Sequence, residues 1–124
     1  MRVVILALVT AVCAAAIPSA FASPNDISGQ EVYERACAGC HLSNFGGSVH
    51  TPGLVGEDFM SRWRGLTAGD LLRRIAGTMP PAGMNPLQPA EYIAVTQYLL
   101  ESNGIAAPGS GSPSEAELEG RTIN

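Results

Sequence analysis

Cys37-Ala38-Gly39-Cys40-His41 places two thiols three residues apart with an imidazole directly behind the second. Thiols at that spacing can reach the two vinyl groups on one porphyrin edge and form thioethers. The histidine next in line then swings under the ring toward the iron. This order, CxxCH, is the attachment sequence for c-type haem. Two other chemistries use a CxxC pair. A thioredoxin-like redox pair sits in a βαβ setting, whereas this chain shows no β-branched strand runs. A structural zinc site needs a second pair of ligands, and Cys37, Cys40 and His41 supply only one clustered half.

Histidine on one side leaves the opposite axial position of the iron to be assigned. An open position suits gas binding or oxygen chemistry, while methionine opposite histidine saturates the iron and suits electron transfer. The candidates are Met60, Met79, Met84 and His50. Met79 stands after a helical stretch and before Pro80-Pro81, where a stiff loop can hold a thioether with little entropy left to lose. It ranks first, and Met84 in the same loop ranks second. Met60, beside Phe59, reads as core filler, and His50 as a surface residue in a polar loop. A metal-bound histidine usually donates its other ring proton to a carbonyl or carboxylate. The loop around Pro52 is a candidate for that carbonyl, with Leu54 free to pack on the haem face. An ordinary turn is the other reading, and the residues leave both open.

These groups need elements to position them. Ser28 and Glu31 form a capping box, so a helix is expected from about residue 29 into the haem motif, burying Val32, Tyr33 and Ala36. Glycine at position 29 costs such a helix about 1 kcal/mol relative to alanine. Close approach of another helix would account for it. Residues 42–56 lack a period and read as loop. Residues 57–64 can form one or two turns carrying Phe59, Met60 and Trp63. Thr67 and Asp70 start a further helix with Leu71, Leu72 and Ile75 buried, Arg73 and Arg74 in water, and Gly77 as its end. Prolines at 80, 81 and 86 forbid regular structure. The last helix opens at Pro89 with Glu91 in its first turn, and Leu87 can staple against Tyr92. Tyr92, Val95, Tyr98 and Leu99 share one face, and Asn103-Gly104 supplies the stop.

The expected fold class is all-α: a small cytochrome c-like arrangement of three to four helices and loops wrapped around a covalent haem. Under about 80 ordered residues rarely build enough core alone, and a held porphyrin supplies a broad apolar surface. Residues 106–124, rich in Gly, Ser, Pro and acidic groups, read as a disordered tail. At the other end, Met1-Arg2, an apolar run to Ile17 and Ala20-Phe21-Ala22 read as a signal peptide cleaved after residue 22. The run is short for a membrane span, which needs about 20 residues. The domain is thus expected at 23–105, in an exported, periplasmic protein with no membrane span once processed. Haem attachment also takes place outside the cytoplasm, where cysteines meet oxidising conditions.

The chain carries 7 basic and 11 acidic residues, net −4, and every basic residue is arginine. Losing Arg2 with the signal would leave six against eleven, a formal charge of −5. This argues against nucleic acid as a partner and against docking through a ring of lysines. Arg62, Arg64, Arg73 and Arg74 read first as a solvated helix face. The sharper reading is a propionate partner or docking patch, because guanidinium pairs well with carboxylates.

CxxCH near the start, a proline-leucine loop, a methionine-proline loop and a terminal Tyr-Leu helix together resemble the single-haem class I cytochromes c over roughly residues 29–104. The resemblance implies one covalent haem c through Cys37 and Cys40, His41 and Met79 as iron ligands, and Pro52 supporting the histidine. It also implies that Gly29 and Tyr33 pack against Tyr98. Activity would be one-electron transfer between redox proteins, with no substrate transformed and therefore no enzyme. The phrases GTMPP and AEYIAVTQYLLESNG, with Phe59 and Trp63 between, look more narrowly like cytochromes associated with quinoprotein alcohol dehydrogenases. That likeness adds Trp63 to the cofactor-facing residues. It implies as partners a quinoprotein dehydrogenase and an oxidase or other cytochrome.

Overall fold

The computed structural model describes residues 27–106 and 111–124; the expected signal peptide lies outside them. The described chain is helical, with two isolated bridges, Ser48 to Thr51 and Thr67 to Thr122, and no strands among the described residues. Its elements are α1 (Gly29–Ala36), α2 (Ala38–His41), α3 (Gly56–Trp63), α4 (Ala68–Thr78), α5 (Pro89–Ser102) and α6 (Glu115–Glu119). The expected all-α class holds. The helix number exceeds three to four because the attachment motif forms its own turn, α2, and because α6 lies where no structure was expected.

Capping chemistry sets most boundaries. Ser28 Oγ accepts from Glu31 N–H at the start of α1, and Thr67 with Asp70 makes a full capping box on α4. At the start of α5 the Gln88 N–H donates to Glu91 Oε2 at 2.8 Å, with Pro89 in the first turn. Such caps satisfy the amides that a helix start leaves without partners. Gly77 does not end α4. The helix continues through Thr78 and stops on Met79, the residue before Pro80, where proline disfavours helical backbone. Gly104, at φ +73°, makes the left-handed turn after α5.

The core gathers Val32 and Tyr33 of α1, Phe59 of α3, Leu71 and Leu72 of α4 and Tyr92, Val95, Leu99 and Leu100 of α5. α5 is central: α1 packs on it and so does α4. At the α1–α5 crossing, a Cβ on Gly29 would run into the Ala94 carbonyl and lie 2.7 Å from Tyr98 Cβ. Glycine is therefore what lets the two backbones meet.

The expectation of a disordered tail is overturned for residues 111–124. Ser114 and Glu117 form a capping box on α6, and Leu118 and Ile123 are 0% exposed. Composition alone hid this, because two apolar side chains in a Gly/Ser/acidic stretch are enough to dock it when a receiving surface exists. That surface lies on α4 and the turn before it.

Candidate haem site

Cys37 is the residue between α1 and α2, its N–H bonded to Tyr33 O at 2.9 Å. The chain then folds into one further turn, with Cys40 and His41 N–H groups both reaching Cys37 O at 3.1 and 3.0 Å. Cys37 and Cys40 are free thiols, the first half-buried and the second exposed. Burial pushes the Cys37 thiol up, with Arg35 opposing. A redox-active pair needs a depressed thiol, so this environment disfavours thiol chemistry.

His41 is buried, 7% exposed, and its Nδ1 lies 3.0 Å from Pro52 O. The carbonyl can only accept, so Nδ1 keeps its proton and donates to it, leaving the Nε2 lone pair free, the tautomer a metal-bound imidazole requires. Gly47 N–H bonds His41 O at 3.1 Å. A Cβ at Gly47, which sits at φ +66°, would collide with the Thr51–Gly53 backbone. The loop can therefore close over the histidine only with glycine there. Two residues after the motif carry positive φ without being glycine: Leu42 (φ 64°, ψ 156°) and Phe45 (φ 61°). Such backbone costs about 1–3 kcal/mol per residue and needs tertiary contacts to hold it.

Those contacts come from α1 and α5. Tyr33 OH donates to Leu42 O at 2.8 Å. Burial pushes the Tyr33 phenol up to about 12, so it stays a donor. Phe45 packs against Tyr33 at 4.5 Å and Tyr98 at 5.7 Å between ring centroids, and the two tyrosines lie 5.9 Å apart. The Gly29–Tyr33–Tyr98 packing implied by the resemblance is present. Phe45 as the third ring carried no sequence signal, since it sits in an aperiodic loop.

Leu54 is half-buried against the core, its N–H bonded to Phe45 O at 2.8 Å. Trp63 is half-buried at the end of α3, 6.4 Å from Phe59. Asn103, read from sequence only as a helix stop, fastens this region. Its Nδ2 donates to Leu54 O at 3.0 Å and Leu99 O at 2.8 Å, and its Oδ1 accepts from Gly56 N–H at 3.0 Å.

Met79 caps α4, its N–H on Ile75 O at 2.8 Å and its carbonyl accepting from Tyr92 OH at 2.9 Å. The same hydroxyl accepts from Leu87 N–H at 3.3 Å. The two ends of the methionine loop are thus tied to one side chain. Met84, by contrast, is 53% exposed. Met60 packs against the core, and His50 is exposed.

Among the arginines, Arg73 pairs with Asp70 at 2.5 Å and with Glu119. Arg62 donates to Asp58 O at 2.7 Å and Gly53 O at 3.4 Å. Arg35, outside the expected cluster, bridges α1 to α5 through Glu91 at 2.6 Å.

The donor set fits a covalent porphyrin: two unpaired thiols on one turn and a buried imidazole with one nitrogen committed to a carbonyl. An all-α fold of this kind around a CxxCH turn defines a class I cytochrome c, a haem-binding electron-carrier domain. The family model described as cytochrome C oxidase, cbb3-type, subunit III matches residues 24–99, more than half of the chain, and the protein belongs to that family. Comparison with curated proteins finds no match, and comparison with solved structures finds none. The family match carries the class I reading; nothing in it speaks for quinoprotein alcohol dehydrogenases.

Proposed function

We propose that the protein is an exported, periplasmic one-electron carrier with a single haem c, held by Cys37 and Cys40 and ligated by His41 and Met79. The observation that carries this reading is the 3.0 Å contact of His41 Nδ1 with Pro52 O on the turn that bears both thiols. It orients the imidazole and raises its basicity. The haem supplies the iron that cycles between ferrous and ferric. The chain's own residues hold and orient it, and the buried ring of His41 keeps water from the proximal side. Tyr92 supports Met79 over Met84 as distal ligand, because it anchors the Met79 backbone at the end of a helix. Leu54 and Trp63 are proposed to line the porphyrin faces. Partners are redox proteins: the family's description points to an oxidase, and a quinoprotein dehydrogenase is a candidate donor. The protein itself transforms no substrate.

Mass and visible spectrum of the exported protein under denaturing conditions test the attachment. A haem adduct is expected, lost in Cys37→Ser/Cys40→Ser. For the ligands, the oxidised protein is expected to show the methionine-to-iron charge-transfer band, abolished in Met79→Ala and kept in Met84→Ala. A band absent from the parent protein would favour an open iron and a gas-binding or enzymatic role instead.

A further inference from the structure

We propose that residues 111–124 form a strap that positions Met79 by clamping α4, so that loosening the strap opens the distal side of the iron. This rests on the reading of Met79 as ligand. The strap lies beyond residues 24–99, the part of the chain the family model matches.

The strap is built as part of the fold. Leu118 and Ile123 are 0% exposed. Gly65 N–H bonds Ile123 O, Ile123 N–H bonds Leu66 O and Ala68 N–H bonds Arg121 O, each at 2.8 Å. The strap thereby satisfies main-chain groups of the α3–α4 turn and an amide of the first turn of α4, which has no partner inside its own helix. Glu119 lies on Gly69, where a Cβ would collide with its carboxylate, and pairs with Arg73. α4 is therefore held between α5 and α6.

At its other end α4 terminates on Met79. Eleven residues make a rod of about 16 Å, short and hydrogen-bonded throughout, so a shift of its first turn is carried to its last. Tyr92 holds the Met79 carbonyl from α5, and the strap holds the start of the same helix. With both in place the thioether has one position. With the strap loosened, α4 loses one of its two main helix partners and the methionine loop samples open arrangements.

The test is an imidazole titration of the oxidised, haem-loaded, full-length protein, read at the methionine-to-iron band. Imidazole competes with Met79, so its apparent affinity rises with the fraction of open molecules. In Leu118→Ala or Ile123→Ala an affinity increase of about tenfold is expected, which needs only part of the stability a buried Leu→Ala change removes. Haem content under denaturing conditions stays unchanged. The parent protein at a urea concentration that matches the variants' loss of stability is the control for general destabilisation, and its imidazole affinity is expected to stay at its value without urea. Should the core variants fail to accumulate, Glu119→Gln and Arg73→Gln loosen the exposed side of the same contact, with an expected rise of about twofold. Parent-like imidazole binding in all strap variants, or an equal rise in the urea-matched parent, overturns the proposal. Met79→Ala separates the two layers. If the band survives there, the ligand reading fails. If it is lost there while the strap variants bind imidazole as the parent does, the strap alone fails.

Discussion

Gly29→Ala sets two effects of opposite sign against each other. Alanine is the better helix former by about 1 kcal/mol in a helix interior, and at position 29, the first residue of α1, the gain is smaller. Against it stands the new methyl. It would fall well inside contact distance of the Ala94 carbonyl oxygen and 2.7 Å from Tyr98 Cβ. Neither obstacle can rotate away, because one is helix backbone and the other is the first atom of a side chain. α1 and α5 must separate, and overpacking of this kind costs about 1–3 kcal/mol. The net expectation is a loss of about 1–2 kcal/mol, or a Tm lower by about 5–10 °C for a domain of this size. Gly77 provides the contrast. It lies in α4 with nothing within 4 Å of a Cβ position, and Gly77→Ala is expected to gain about 0.4–1 kcal/mol. The assay is thermal unfolding of the two haem-loaded variants beside the parent. A Gly29→Ala protein as stable as the parent would refute the tight crossing, and equal shifts in both variants would show that propensity alone was being measured.

Tyr92→Phe removes the donor to Met79 O and the acceptor for Leu87 N–H; a loss of about 1–3 kcal/mol is expected, with a weakened methionine-to-iron band, checked by denaturant titration and visible spectroscopy. Asn103→Ala strands Gly56 N–H and Leu54 O, and is expected to cost about 2–3 kcal/mol with faster hydrogen exchange at the Gly56 amide. For pH, the Gln88 backbone N–H, followed by Arg35, holds the Glu91 carboxyl below its ordinary 4.5. A depressed carboxylate stabilises the fold above the unfolded value and loses that contribution as pH falls through its folded value. Glu91→Gln is therefore expected to lower stability at neutral pH and to flatten the decline below about pH 4.5, measured by unfolding midpoints across the acid range.

The helical frame was legible because its signals are local. Capping residues at 28 and 67, Pro89 at the start of α5 and apolar spacing along α1, α4 and α5 act within a few residues of the structure they specify. CxxCH was legible for the same reason, since one turn of chain carries the whole motif. The Phe45 ring between two tyrosines was not, because its partners come from α1 and α5 and its own loop has no period. Asn103 reaches back more than forty residues to Leu54 and Gly56, and such long-range use of an amide leaves no mark at position 103. The tail failed most instructively. Its composition is that of a disordered segment, and its two buried residues find their receptor in α4, which no local rule consults.

The strained turn after His41 has a thermodynamic consequence. Leu42 and Phe45 keep left-handed backbone only while Tyr33, Tyr98 and the Gly47 loop hold them, so an unfolded chain relaxes there at once and the imidazole loses its fixed aim. The placement of His41 thus belongs to the assembled α1–α5 pair and not to the motif that contains it. Linkage makes this reciprocal. With His41 as the iron's ligand, whatever free energy the fold contributes to coordination, coordination contributes equally to the fold. Leu42→Gly, which removes the strain from the folded state, would make that aim less dependent on the rest of the molecule, and the iron a weaker guarantor of its stability.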